Sequence, residues 1–247
     1  MMQYNMGLKG CKAHLENAII IHMSLKIKPK ILKHLPKMLK IIRGEARQWR
    51  PPVAGTFVNS PHAPFKILIS TVLSLRTKDT TTEPASHRLF IKADTPQKML
   101  TLSAEEIEKL IYPVGFYRTK ARNILVICRR LLDDFGGKVP SEMDQLLSLK
   151  GVGRKTANLV LTVGYNKYGI CVDTHVHRIS NRWGLVRTTT PDKTEEALRR
   201  VLPKRHWIAF NDALVSYGQN LCSPISPFCS RCKIAKLCPR IGVRHRR

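Results

Sequence analysis

Acidic residues are scarce in this chain. Its 247 residues hold 17 Asp and Glu against 43 Lys and Arg, a formal net charge of +26. A surplus of that size points to a polyanionic partner, with nucleic acid first, rather than to merely adhesive basicity. Long hydrophobic runs are missing as well. The longest apolar stretches, such as Ile67–Leu75, fall far short of a membrane span. A secretory leader is not evident either, because the apolar run Ala18–Ile21 is short and no small-residue cleavage site follows. The chain also lacks internal repeats and low-complexity segments, so no repeat array is expected. What remains is a chain with 43% hydrophobic residues, near the globular average, long enough for one large or two small cores.

The charge is concentrated at the ends. Residues 1–50 hold 11 Lys and Arg with 2 acids, and residues 201–247 hold 9 with 1. Between them the pattern reads as nearly all helical. Helices are expected over Lys30–Ile42, Pro64–Leu75 and Thr80–Phe90, with Pro84 tolerable only near a first turn. Ser103 and Glu106 form a capping box opening a helix through Tyr112. The clearest helix runs from Tyr117 to Phe135, with Ala121, Ile124, Leu125, Cys128, Leu131 and Leu132 on one face and Gly136 as its stop. A short helix starts near Ser141. Thr156–Tyr165 is apolar almost all round and is expected to be buried. Ile170–Val172 is a short strand or an extended entry to a helix at Thr174–Trp183. Two more helices cover Pro191–Val201 and Trp207–Gly218.

Four of seven cysteines crowd into 17 residues as C-x6-C-x2-C-x5-C: Cys222, Cys229, Cys232 and Cys238. Such spacing reads as a metal site rather than as disulfides. Thiolates suit both zinc and iron–sulfur clusters. A single compact loop favours a cubane, and zinc remains the alternative. Cys128 lies on an apolar stripe and is a buried small hydrophobe, while Cys11 and Cys171 have no partner in sequence.

Gly151-Val152-Gly153-Arg154-Lys155 joins a short helix to the apolar one. Two glycines let the backbone bend sharply and approach another surface, and the amides at the next helix start can meet a phosphate oxygen. An ordinary helix–helix turn would look similar. Lys155 sits at the positive end of that helix dipole, in an apolar context. Dipole and burial together would lower its pKa and make its amine a nucleophile, whereas the plainer reading is a phosphate-binding lysine. Asp173 precedes a helix, where it reads first as an N-cap. Eighteen residues separate it from Lys155, enough for one buried helix and a return, so the two can share a cleft.

Taken in order, Leu149–Ala157, Val172–His175 and the cysteine loop resemble endonuclease III, a DNA glycosylase of the helix–hairpin–helix superfamily, over about residues 30–240, and the archaeal branch most closely. The resemblance implies an all-α fold of two helical domains flanking a DNA-binding cleft. Residues 57–167 would form a six-helix domain with the hairpin. Residues 1–56 and 168–247 would form the cluster domain, with 1–22 as a possible extension and Met23 as an alternative start. It further implies a bifunctional glycosylase and abasic-site lyase acting on double-stranded DNA with oxidised pyrimidines or abasic sites, in the cytoplasm at the nucleoid, as a monomer and with no membrane partner. Lys155 matches the catalytic lysine and Asp173 the catalytic aspartate. Cys222, Cys229, Cys232 and Cys238 match the [4Fe–4S] ligands. Gly151, Val152, Gly153 and Arg154 match the phosphate-gripping hairpin, and Arg76 and Phe116 fall where the family fills the gap left by a flipped base. The rivals are a monofunctional mismatch glycosylase and a non-catalytic DNA-binding protein with a structural cluster.

Three departures from the family stand out. Lys150 replaces a usual Pro, Arg76 replaces the Gln of bacterial relatives, and the stretch between Cys222 and Cys229 holds no Lys or Arg. Arg231, Lys233 and Lys236 are expected to supply the missing DNA contact.

Overall fold

The structure is a computed structural model, and it describes residues 30–49 and 53–247. Cys11, the 1–22 extension and the Arg50-Pro51-Pro52 junction lie outside those residues. Among the described residues the fold is all helical, with no strand. Helix α1 covers 30–46. It is followed by α2 (Ala63–Ser74), α3 (Asp79–Lys92), α4 (Pro96–Met99), α5 (Ala104–Ile111) and α6 (Tyr117–Phe135). After these come α7 (Met143–Leu147), α8 (Arg154–Leu159), α9 (Thr174–Arg182), α10 (Pro191–Val201) and α11 (Trp207–Asn220). Ile170–Val172 is an extended lead into α9 rather than a strand.

Local chemistry sets several of these boundaries. Ser103 Oγ accepts from Glu106 N at 3.1 Å and Glu106 Oε2 accepts from Ser103 N at 2.7 Å, the capping box in both directions. Helix α6 ends where Gly136 adopts φ 58° and Gly137 N–H reaches Leu131 O at 2.8 Å. Pro84 departs from expectation, since it sits six residues into α3 and not in the first turn. It removes an N–H that would reach the carbonyl of Thr80, and Thr80 is exposed, where water can replace that bond. The helix expected at Thr156–Tyr165 begins two residues earlier and continues from α8 into a π-helical turn, Val160–Gly164. Such turns gather at functional sites.

The buried apolar side chains form two separate cores. The first gathers residues of α2, α3, α5, α6 and α8, including Leu68, Leu89, Ile107, Ile124 and Ala157. The second joins Leu35, Met38 and Ile42 of α1 to Val176, Leu198, Phe210 and Leu214 of α9, α10 and α11, with Ile234 from the cysteine loop. Each fully buried Leu or Ile contributes about 1.5–3 kcal/mol over an exposed one, so either core is substantial. Helix α1 and the cysteine loop, the described parts of the two charge-rich stretches, meet in the second core. No described helix is long and apolar enough to cross a membrane.

Candidate active site

A cleft of about 1170 Å³ opens between the two cores, and both Lys155 and Asp173 line it. Lys155 is the second residue of α8. The turn before that helix alternates buried and exposed residues. Leu149 and Val152 are buried, which pins the hairpin to the first core, while Lys150, Gly151 and Gly153 face outward. Gly151 needs its glycine, because its φ is +79°. Lys155 itself is exposed, contrary to the burial expected of it. The buried side of α8 is Thr156, Ala157 and Asn158, which leaves Lys155 on the cleft wall.

Asp173 caps α9. Its Oδ1 accepts from His175 N at 2.8 Å and Val176 N at 2.9 Å, and no protein hydrogen bond to Oδ2 occurs among the described residues. The cap locks the side chain and leaves one oxygen for the cleft. Buried Cys171 ties the two elements together, its thiol donating to Lys155 O at 3.5 Å. Helix α11 approaches α9 closely because residue 218 is glycine, since a Cβ there would stand 2.5 Å from His175 Nδ1.

The second-core wall of the cleft is cationic. Lys40, Arg43, Arg47 and Arg205 line it. On a separate rim of the first-core side, in the turns after α2 and before α6, Arg76 and Phe116 stand together, the guanidinium carbon 5.7 Å from the ring centroid. Both have left-handed backbones, φ 54° and 58°, and Phe116 is 61% exposed. An aromatic ring presented to solvent at a strained position is not a core residue. Lys120 organises this rim from below. It is 6% exposed, and its ammonium donates to Leu73 O at 2.7 Å, Leu75 O at 2.6 Å and Thr77 Oγ1 at 3.1 Å. Burial lowers its pKa to about 8. Nothing in the local sequence marks Lys120 apart from other lysines.

Two of the anticipated DNA contacts are otherwise engaged. The guanidinium of Arg154 is committed through Nε and Nη2 to Glu195, which leaves its Nη1 and the backbone amide for a phosphate. Lys233 Nζ lies 3.6 Å from the buried carboxylate of Glu45. Arg231 and Lys236 remain exposed.

The cysteine loop wraps a small cavity that Cys222, Cys229, Cys232 and Cys238 line with Tyr217 and Ile234. Among the described residues no three His, Cys, Asp or Glu side chains converge on one metal-ion position. The cavity has a pronounced cationic surround. Arg182, 8% exposed, donates to Cys222 Sγ at 3.1 Å and to the carbonyls of Ser223 and Pro224. Arg178 donates to the carbonyls of Cys222 and Gly218. Arg240 Nε is buried without a partner. None of these three arginines forms an ion pair with a carboxylate among the described residues. Tyr217 Oη lies 3.1 Å from Cys232 Sγ.

Comparison with known proteins settles the family. Residues 69–204, more than half of the chain, match the HhH-GPD superfamily of base excision DNA repair proteins. Endonuclease III of Thermotoga maritima is 49% identical over 175 residues, covering 71% of this chain and 82% of that one. The chain belongs to the endonuclease III family. A solved endonuclease III trapped as a covalent intermediate with DNA superposes with a TM-score of 0.72 at 33% identity, over 84% of this chain and 95% of the other. A thermostable thymine-DNA glycosylase gives 0.66 at 25% identity, over 83% and 97%. The endonuclease III fold accounts for the hairpin, the two cores and the cleft between them.

Proposed function

We propose that this chain is a bifunctional DNA glycosylase and abasic-site lyase that removes oxidised pyrimidines from double-stranded DNA, with Lys155 as nucleophile and Asp173 as its partner. The observation that carries this reading is an exposed lysine and a half-free aspartate on one cleft, in a chain of this family. The damaged nucleotide leaves the stack and enters the cleft. The amine of Lys155, once it has given up a proton, attacks the sugar C1′, and the base departs with the electrons of the glycosidic bond and takes up a proton. The sugar ring then opens, the nitrogen lone pair forming the C1′=N iminium as the C1′–O4′ bond breaks and O4′ takes up a proton from the nitrogen, and this iminium acidifies C2′. Loss of that proton expels the 3′ oxygen, which nicks the strand. The free oxygen of Asp173 stabilises positive charge on the sugar and accepts or returns protons. The exposed Gly151 and Gly153 amides, with Lys150, hold a backbone phosphate and Arg154 contributes its amide, whereas Val152, expected among these contacts, is buried and its amide donates to Leu149 O at 3.1 Å. Phe116 and Arg76 fill the gap in the duplex. The cationic wall at Lys40, Arg43, Arg47 and Arg205 gives affinity that falls steeply with salt.

Two domains with boundaries near 57 and 167 belong to this reading, supported by the two separate cores, and the place of action is wherever the cell keeps its DNA. A [4Fe–4S] cluster fits the cysteine loop. Three arginines without carboxylates, and one orphaned Arg240 Nε, surround the thiols as cations awaiting an anionic guest. A single tetrahedral ion would need its thiolates about 3.8 Å apart, from a metal–sulfur bond near 2.3 Å. Each thiolate of a cubane binds its own iron, and the four cysteines line one small cavity of the loop. When bound, the cluster supplies a rigid cross-link for the loop. Cys222, Cys229, Cys232 and Cys238 would hold it, and Arg182 and Tyr217 would donate hydrogen bonds to its sulfurs.

Borohydride reduction on abasic-site DNA tests the reading. A covalent adduct formed by wild type and lost in Lys155→Ala is expected. Base release with no adduct would mean a monofunctional glycosylase. Binding with neither would mean a non-catalytic module.

A further inference from the structure

The residue before Lys155 turns away from the DNA face. Arg154 Nε donates to Glu195 Oε2 at 2.9 Å and Nη2 to Oε1 at 2.8 Å, two parallel charge-assisted bonds. Glu195 lies on α10 and is 2% exposed. Helix α10 packs into the second core through Leu198, and α8 packs into the first through Ala157. This bidentate pair therefore crosses from one core to the other.

A second strand of the same network reinforces it. Arg199, one turn along α10, donates to Glu195 Oε1 at 2.9 Å and to Asn158 Oδ1 at 3.0 Å. Asn158 is a buried residue of α8, and its Nδ2 donates back to Arg154 O at 3.1 Å. The Arg199 guanidinium also lies over the Trp207 ring, 5.1 Å from its centroid. Helix α8 is thus gripped at Arg154 and Asn158 by one carboxylate and the arginine beside it. Burial alone would raise the Glu195 carboxyl, but hydrogen bonds from both arginines bring it below its ordinary value.

Local energetics do not explain this arrangement. A cation at the first position of a helix meets the positive end of the dipole, and a buried carboxylate loses its hydration. The arrangement does fix geometry between the elements that carry the two reacting side chains. Lys155 rides on the first turn of α8, whereas Asp173 stands between Val172 and Val176 of the second core. Apart from the chain itself, the other polar tie between them is the long Cys171 contact to Lys155 O.

We propose that Glu195 is a positioning residue: through Arg154 it holds the first turn of α8 against the second core and so sets Lys155 Nζ relative to Asp173 and the sugar carbon. Glu195 touches no substrate. The inference rests on the assignment of Lys155 as nucleophile above.

Glu195→Gln keeps the side-chain shape and removes the charge. With saturating abasic-site DNA and borohydride in single-turnover conditions, its rate of adduct formation is expected to fall about 10- to 100-fold, the scale of an ångström-sized misplacement. DNA affinity is expected to stay within about threefold, because the lost contact is internal. The double variant Arg154→Leu/Glu195→Leu removes both charges together, which is expected to restore much of the melting temperature while adduct formation stays slow. The inference is overturned if the rate follows stability and the double variant recovers wild-type speed, or if Glu195→Gln alters only melting temperature or affinity. A wild type that forms no adduct at all defeats the lysine assignment, and this inference with it, before any variant is compared.

Discussion

The two cores hold their buried cations in opposite ways. In the first, Lys120 is surrounded by three protein oxygens, and every donor of its ammonium is used. In the second, half-buried Arg178 and Arg240 and buried Arg182 ring the cysteine loop with carbonyls, a histidine nitrogen and sulfur for partners, and with no carboxylate among the described residues. Buried charge persists only where something compensates it. The first core is complete as polypeptide, while the second, on the cluster proposed for its cysteine loop, closes around a negative guest. The chemistry proposed above would sit on the seam, with Lys155 on one side of the cleft and Asp173 on the other.

The largest expected effect follows from that seam. Asp173→Asn keeps the cap acceptor Oδ1 and removes the charge, so the fold of α9 survives. Base release is expected to fall about a hundredfold or more, the range of a lost charged participant, measured as single-turnover excision. An Asp173→Asn enzyme at wild-type rate would reduce the aspartate to its capping role.

Removal of the guest separates the two cores next. Iron chelation under denaturant, or Cys232→Ser, is expected to melt the second core first, because metal binding there is folding free energy. Hydrogen exchange should rise at α9 and α11 and stay low at α2 and α6. Equal loss in both cores would break the contrast. A smaller effect is expected at the rim. Phe116→Ala should slow base release about tenfold, from one lost stacking surface, with cleavage of preformed abasic sites less affected.

The smallest effect is a pH dependence. Burial holds Lys120 at about 8, whereas the unfolded chain keeps that proton to about 10.4. Between those values the unfolded state binds more protons, so this group's contribution to stability rises with pH through that window. Thermal unfolding of wild type against Lys120→Met should diverge with that sign above pH 8 and run parallel below it.

Sequence pattern made much of this visible. The stripe of α6, the Ser103–Glu106 box and the four-cysteine loop all lie within a few turns of chain, where periodicity and spacing report directly on structure. What it hid is non-local or conformational. Arg154 and Glu195 are 41 residues apart, and Lys120 reaches oxygens more than 40 residues away. The hairpin arginine reads as a DNA contact until its carboxylate partner is seen. The left-handed backbones at Arg76 and Phe116 follow from Lys120 and from tight packing at Gly115, which no local propensity encodes. Exposure of Lys155 is equally invisible, since an apolar helix gives no hint of which side its first turn presents.

The central claim is that one lysine of 43 basic residues carries the reaction. Peptide mapping of the borohydride-reduced complex with abasic-site DNA tests it most directly. The account expects the sugar remnant on the peptide containing Lys155, at Nζ. An adduct on another lysine, or cleavage of the strand with no lysine modified, would contradict it.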